Sequence, residues 1–180
     1  MKKIIVFILG IVLFTTGCSL LMNTPTDKVE EYLDKYRTKN TDVIDQLQNV
    51  IYEIGDMNDE NKTSYRKLME KQYENLSYKI KDETIDGNNA TVEAEIEVFD
   101  YKTSLLSSDE YLTEHNKDFA DENGNVDNDK FMKYKLEQLD KVTDKITYTI
   151  NFTLTKDDNG KWVLDDITNE DRLKIHGLYS

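Results

Sequence analysis

The chain opens on eleven consecutive positions, Ile4 to Phe14, that are aliphatic or aromatic except for Gly10. From residue 24 onward the apolar positions take a helical spacing. In "TPTDKVEEYLDKY" (24–36), Val29, Tyr32, Leu33 and Tyr36 form one stripe, while Thr24, Pro25 and Asp27 supply an N-cap, a first-turn proline and a capping-box acid. "NTDVIDQLQNVIYEIG" (40–55) predicts a second helix, striped by Val43, Leu47, Val50, Ile51 and Ile54 and stopped by Gly55. "KTSYRKLMEKQYENL" (62–76) predicts a third, with Tyr65, Leu68, Met69, Gln72, Tyr73 and Leu76 on one face.

The period then falls to two. "LSYKIKDETID" (76–86) and "ATVEAEIEVFDY" (90–101) flank a Gly-Asn-Asn turn, and Ala90, Val92, Ala94, Ile96 and Val98 alternate with Thr91, Glu93, Glu95 and Glu97. That alternation predicts a half-buried antiparallel strand with an acidic outer face. "KITYTINFTLT" (145–155) alternates as strictly, with Ile146 to Leu154 on one side and Thr147 to Thr155 on the other. Asn159-Gly160 is a strong hairpin signal leading into "KWVLDDI" (161–167). Between the two hairpins, "SSDEYLTEHNKDF" and "NDKFMKYKLEQLDKV" predict a short and a longer helix around polar "ADENGNVD", and "TNEDRLKIHG" predicts a last capped turn or two ending at Gly177.

Helices followed by one-sided strands predict an α+β domain, with the N-terminal helices packed on the inner face of a curved antiparallel sheet. The order of elements, with the closing "KWVLDDITNEDRLKIHG", resembles the cystatin-like, or nuclear transport factor two-like, α+β cone. The resemblance covers most of residues 24–178 and implies a cone whose mouth could hold a pocket. It implies no particular activity, since that fold carries enzymes and binding modules alike.

The N-terminal run acquires meaning from its flanks. Lys2 and Lys3 precede it, and Thr15, Thr16 and Gly17 lie between it and Cys18, the one cysteine of the chain. Charged, apolar and small-residue regions in that order are those of an export signal. "LFTTGCSLL" resembles the end of a bacterial lipoprotein signal peptide. The resemblance implies a signal over 1–17, a Cys18 whose sulfur carries a diacylglycerol, a lipidated tether over 18–23 and a domain over 24–180 on the extracytoplasmic face of the cell membrane. The alternative is an uncleaved helix over 4–22, nineteen residues being just enough for a bilayer core of ~30 Å. Both readings put the domain outside, because Lys2 and Lys3 favour the cytoplasmic side.

A lone cysteine at that position leaves no intrachain disulfide and no thiol nucleophile in the domain. Losing Lys2 and Lys3 with the signal takes the formal charge from −13 to −15. Such a field repels phosphate backbones, so nucleic acid is not an expected partner. The expected partners are the membrane, through the anchor, and an envelope protein or a small ligand.

Motifs with intrinsic chemistry are scarce. "DENGNVDND" is dense in oxygen ligands, but placing Gly124 at the sixth position of an EF-hand loop puts Phe119 first and Lys130 twelfth, where carboxylates are required. An irregular calcium site on Asp121, Asn123, Asp127 and Asp129 is the weaker reading, and a solvated loop capping the next helix the stronger. His115 and His176 lack a second ligand at metal spacing, and His176, next to Gly177 at a helix end, reads as a cap where the dipole favours a cation. Serine lacks a nucleophile elbow or a recognisable base, and a phosphate-cradling loop is missing. Of the acid pairs Asp82/Glu83, Glu95/Glu97 and Asp165/Asp166, only Asp166 falls on an apolar strand face, with Trp162 and Leu164. Tyr32, Tyr36, Tyr65 and Tyr73 lie on helical stripes, where phenols can line a pocket.

These features predict no catalytic residue, no metal and no cofactor. They predict a non-catalytic binding or interaction module, with Tyr36, Tyr65, Trp162 and Asp166 as the candidate pocket. The alternative is an enzyme or small-molecule carrier using the cone.

Overall fold

A computed structural model describes residues 23–53 and 57–179. The signal segment, Cys18, Ile54 and Gly55 lie outside the described residues. The first helix, α1, spans Pro25–Arg37 behind a complete capping box: Asp27 N–H donates to Thr24 Oγ1 at 3.1 Å, and Thr24 N–H donates to Asp27 Oδ2 at 3.0 Å. The second, α2, spans Thr41–Glu53, and the third, α3, spans Asp59–Glu74 with Asn58 as its cap. Val29 and Leu33 of α1 are fully buried, as their stripe predicts.

Four strands follow: β1 Ser77–Asp86, β2 Asn89–Phe99, β3 Lys145–Lys156 and β4 Trp162–Leu164. They pair antiparallel in the order β1-β2-β3-β4 as one open sheet. In register, Ala94 faces Ile150 and Val92 faces Phe152, so the apolar sets of β2 and β3 share one face. That face packs on α1 and α3, with Val92, Ala94, Ile96, Ile150, Phe152 and Leu154 at most 1% exposed. Burying side chains of this size contributes ~1.5–3 kcal/mol each. A bulge between Ile80 and Asp82 divides β1. Tyr78 and Ile80 before it are partly buried, whereas Asp82 to Asp86 are exposed.

The segment between β2 and β3 holds α4 (Tyr101–Glu114), a 3-10 turn (Asn116–Phe119) and α5 (Asn128–Asp140). The alternating pattern placed Tyr101 at the end of a strand; it starts a helix instead, because the Asp100 carboxylate accepts from Thr103 N–H at 3.1 Å and caps it. A second core of Leu68, Phe99, Tyr101, Leu136 and Leu139 joins α3 to this insertion. The last strand is shorter than "KWVLDDI" predicts. After Asp165 N–H bonds Thr153 O at 3.0 Å, the chain leaves the sheet and Thr168 caps α6 (Asn169–Ile175).

One buried polar knot ties these layers. Gln72, fully buried on α3, donates from Nε2 to Phe99 O at 3.1 Å and accepts from Phe99 N–H at 3.0 Å. Gly177 follows α6 with φ +69°, and its carbonyl accepts from Lys102 N–H at 2.9 Å. An added Cβ on Gly177 would overlap both the Phe99 carbonyl oxygen and the Gln72 amide nitrogen. The helix-stop glycine is therefore also a close-approach residue.

The described residues form an α+β domain with an open four-stranded sheet. The inner face is filled by side chains rather than hollow. Among these residues no helix is long and apolar enough to cross a membrane.

Substituting Gly177→Ala is expected to cost more than ~3 kcal/mol, since the left-handed conformation alone costs ~1–2 kcal/mol and the overlap adds to it. Gly160→Ala shares the positive φ but meets nothing within 4 Å, so about 1 kcal/mol is expected there. Urea unfolding midpoints of the two variants check the difference.

Candidate functional site

A concavity lies among the helices. A cleft of about 700 Å³ opens between α1, α2, α3 and the stretch from the end of β4 into α6. Its volume is in the range typical of small-molecule sites. The floor is apolar, formed by Val43 and Leu47 of α2, Met69 of α3 and Ile167. Tyr32 and Tyr36, one turn apart on α1, and Tyr65 and Tyr73 on α3 also line it.

The phenols form a connected set. Tyr32 and Tyr36 rings meet edge to face at 5.4 Å, and Tyr36 and Tyr73 at 5.1 Å, an arrangement the ring quadrupoles favour. Tyr32 and Tyr36 hydroxyls share one hydrogen bond of 3.2 Å. Tyr73 Oη lies 3.3 Å from His176 Nε2, completing a line from α1 through α3 to α6.

Burial dominates the protonation states. It pushes the Tyr32 phenol far above its ordinary range, with Tyr36 adding to the shift, and it raises Tyr73 and Tyr65 in the same direction. These hydroxyls stay protonated. Burial also pushes the His176 imidazole down to about 4, and the nearby Arg172 guanidinium pushes it the same way. His176 is the C-cap of α6, as its place before Gly177 predicts, but it is neutral at pH 7, since loss of hydration outweighs the pull of the helix dipole. A weakly basic imidazole beside a weakly acidic phenol is poorly matched to proton transfer near neutrality. The arrangement is suited to holding a ligand.

Arg172, an exposed residue of α6, lines the cleft. Two of the three arginines fork onto side-chain acceptors, Arg37 onto Asp34 and Arg66 onto Glu70 and Gln48. Glu170 and Asp171, the acids beside Arg172, are taken by Lys174 at 2.9 and 3.1 Å. Among the described residues the Arg172 guanidinium has no side-chain partner. The carboxylates on the cleft, Glu53, Asp165 and Asp166, belong to its rim, where Glu53 and Asp166 are exposed.

Tyr36, Tyr65 and Asp166 line this cleft. Trp162 does not. It is buried at the other end of β4 beneath Lys156, whose Nζ lies 4.7 Å from the ring centroid, and Asn23 bonds its backbone through both amide atoms. Asp166 faces the cleft without the apolar enclosure that strand alternation implied, since β4 has ended two residues earlier. Cys18 lies outside the described residues. Arg172 and His176 went unrecognised as site residues, although their i, i+4 spacing puts them on one face of a helix. Val50, expected in the core, is 48% exposed at the cleft wall.

Other acidic candidates are committed to structure. Asp121 Oδ1 accepts from the backbone N–H of Asn123 and Asn125, Asp127 caps α5, and Asp129 Oδ1 accepts from Asn58 N–H at 3.0 Å. Among the described residues no three His, Cys, Asp or Glu side chains converge at metal distance. Glu95 and Glu97 pair with Lys81 and Lys145 on the outer sheet face, and Glu83 holds Thr26 at the start of α1. His115 is exposed and stacked on Tyr111.

The lowered His176 value predicts a pH effect. Its folded state binds a proton less readily than the unfolded chain, so the unfolded form gains protons first as pH falls below about 6.5. The wild type should therefore lose about 2 kcal/mol more than His176→Gln between pH 7 and pH 5, in urea unfolding measured at both pH values.

Comparison with known proteins adds little to this geometry. No family model matches the chain, and a search of curated proteins finds no match. Among solved structures, a Bacillus subtilis chain provisionally described as a lipoprotein aligns at 17% identity with a TM-score of 0.40. The alignment covers 68% of this chain and 39% of that one, so the chain spans about two fifths of its neighbour's length. A TM-score of this size establishes no shared fold.

Proposed function

We propose that the protein is a lipoprotein anchored to the extracytoplasmic face of the cell membrane, whose α+β domain binds a small ligand in the helical cleft. The observation that carries the binding half is the cleft itself: a cavity of about 700 Å³ with an apolar floor and phenols from two helices. Protonated hydroxyls and a neutral imidazole favour a binding role over acid–base catalysis. The reading retains the cystatin-like resemblance in element order only; the pocket belongs to the helices and not to a cone in the sheet.

The anchoring half stands on the sequence around Cys18. One structural detail is consistent with it. Asn23 clasps Trp162 at the open edge of β4, its Nδ2 donating to Trp162 O at 3.2 Å and its Oδ1 accepting from Trp162 N–H. From Ser19 to Asn23 a tether reaches ~17 Å at full extension. With a domain of net charge −15, an anionic membrane surface repels the globule and holds it away.

Cell fractionation of Cys18→Ala against the wild type tests the anchor. The account expects wild-type protein in membranes, with a diacylglyceryl-modified Cys18 at its N-terminus by mass spectrometry, and the variant released from them. A variant that stays membrane-bound at full length would replace the lipid with a retained helix over 4–22.

A further inference from the structure

The charges around the cleft indicate the sign of its ligand. Glu53, Asp165 and Asp166 line it, and among the described residues no hydrogen bond or ion pair engages their carboxylates. Other acids on the surrounding helices are paired: Asp34 with Arg37, Glu70 with Arg66, Glu74 with Lys39, and both Glu170 and Asp171 with Lys174. Among the described residues the exposed Arg172 is the one charged basic side chain of the lining, since His176 is neutral, so negative charge is in excess there. Glu53 is also the last residue of α2, whose final turn holds no basic side chain, and the negative end of a helix dipole favours a cation.

The rest of the lining defines what carries that cation. An inorganic ion does not fit, because among the described residues no three acids converge at metal distance and the floor of Val43, Leu47 and Met69 would stay uncovered. A wholly apolar molecule would cover the floor but desolvate carboxylates without a counter-charge, which is costly. Phenols border both regions. Their rings attract a cation and their oxygens accept from N–H donors. Tyr65 Oη makes no hydrogen bond among the described residues and is not buried, and the Tyr32 and Tyr36 hydroxyls have only the single bond between them.

We propose that the cleft binds a primary amine with an aromatic or aliphatic body, the ammonium held among the carboxylates of Glu53, Asp165 and Asp166 and the body on the apolar floor. This rests on the cleft-binding reading above. A primary ammonium offers three N–H donors for carboxylate and phenol oxygens to share, whereas a quaternary one offers none. The formal charge of −13 on the whole chain draws such a cation toward the opening. Arg172 opposes it from α6, so its removal should help binding.

The test uses three probes with one body and different heads: 4-phenylbutylamine, 4-phenylbutanol and 4-phenylbutyrate. Each is titrated calorimetrically into the full-length protein in phosphatidylcholine nanodiscs, with empty discs subtracted. The amine is expected to bind about tenfold more tightly than the alcohol, and the carboxylate more weakly than either. The combined variant Glu53→Gln, Asp165→Asn, Asp166→Asn should abolish the amine's advantage over the alcohol. An equal loss of charge on the outer sheet face, Glu93→Gln, Glu95→Gln, Glu97→Gln, should preserve it, and Arg172→Gln should tighten amine binding. An alcohol or carboxylate that binds as well as the amine overturns the assignment of the head group but leaves the cleft a binding site. So does an amine preference that survives in the cleft variant or disappears in the sheet variant. If none of the three binds to protein whose circular dichroism is native, the cleft-binding reading itself fails.

Discussion

Gln72 answers both backbone groups of Phe99, and much of the molecule depends on that double bond. Phe99 is where β2 stops and the α4–α5 insertion begins, so its N–H and C=O pass from the sheet ladder to a side chain on α3. An unmet buried amide or carbonyl costs ~1–3 kcal/mol, and here a single carboxamide meets one of each. Gly177 then lies against this pair at a distance no Cβ would allow. By this route α3, the end of β2 and the C-terminus of α6 share one junction. Arg172 lies on α6 and His176 caps its C-terminus, so both cleft residues depend on the junction that docks this helix.

The position of the cleft follows from what fills the sheet. Side chains on the inner faces of β2 and β3 are nearly all inaccessible, and α1 and α3 cover them, so no hollow remains there. Space appears where α1, α2 and α3 diverge and where β4 ends after three residues. Tyrosines suit that boundary because a phenol can pack its ring in the core and keep its hydroxyl at the opening. Tyr36 is 6% exposed and Tyr73 2%, yet both reach the cleft.

The elements that repeat a simple period were legible before any coordinates. The capping box at Thr24, the stripes of the first three helices, the alternation of β2 and β3 and the Asn159-Gly160 turn are local signals, and local chemistry decided them. Boundaries were harder. Tyr101 closed the stretch read as a strand although it is out of phase with Ala90 to Val98, and the Asp100 cap shows that a helix starts there. Asp166 was placed by alternation along a strand that had already ended. The site was partly legible: Tyr36 and Tyr65 line one cleft, each on the apolar stripe of its helix. Trp162 was misplaced because an apolar strand residue says nothing about which end of the sheet a cavity occupies. His176 required tertiary knowledge, since the burial that neutralises it comes from distant residues, whereas Lys174, which takes both acids beside Arg172, competes locally on the same helix.

The claim that the Gln72 junction builds the cleft is tested most directly by following the His176 imidazole by proton NMR as a function of pH in the Gln72→Leu variant. In the wild type burial pushes the imidazole down to about 4. The account predicts that loosening the junction undocks α6 and returns that value toward the ordinary histidine pKa of ~6.5, while amides of β2 and β3 stay protected from exchange. A His176 titration unchanged from the wild type would mean that α6 holds its place without Gln72, and would contradict the account.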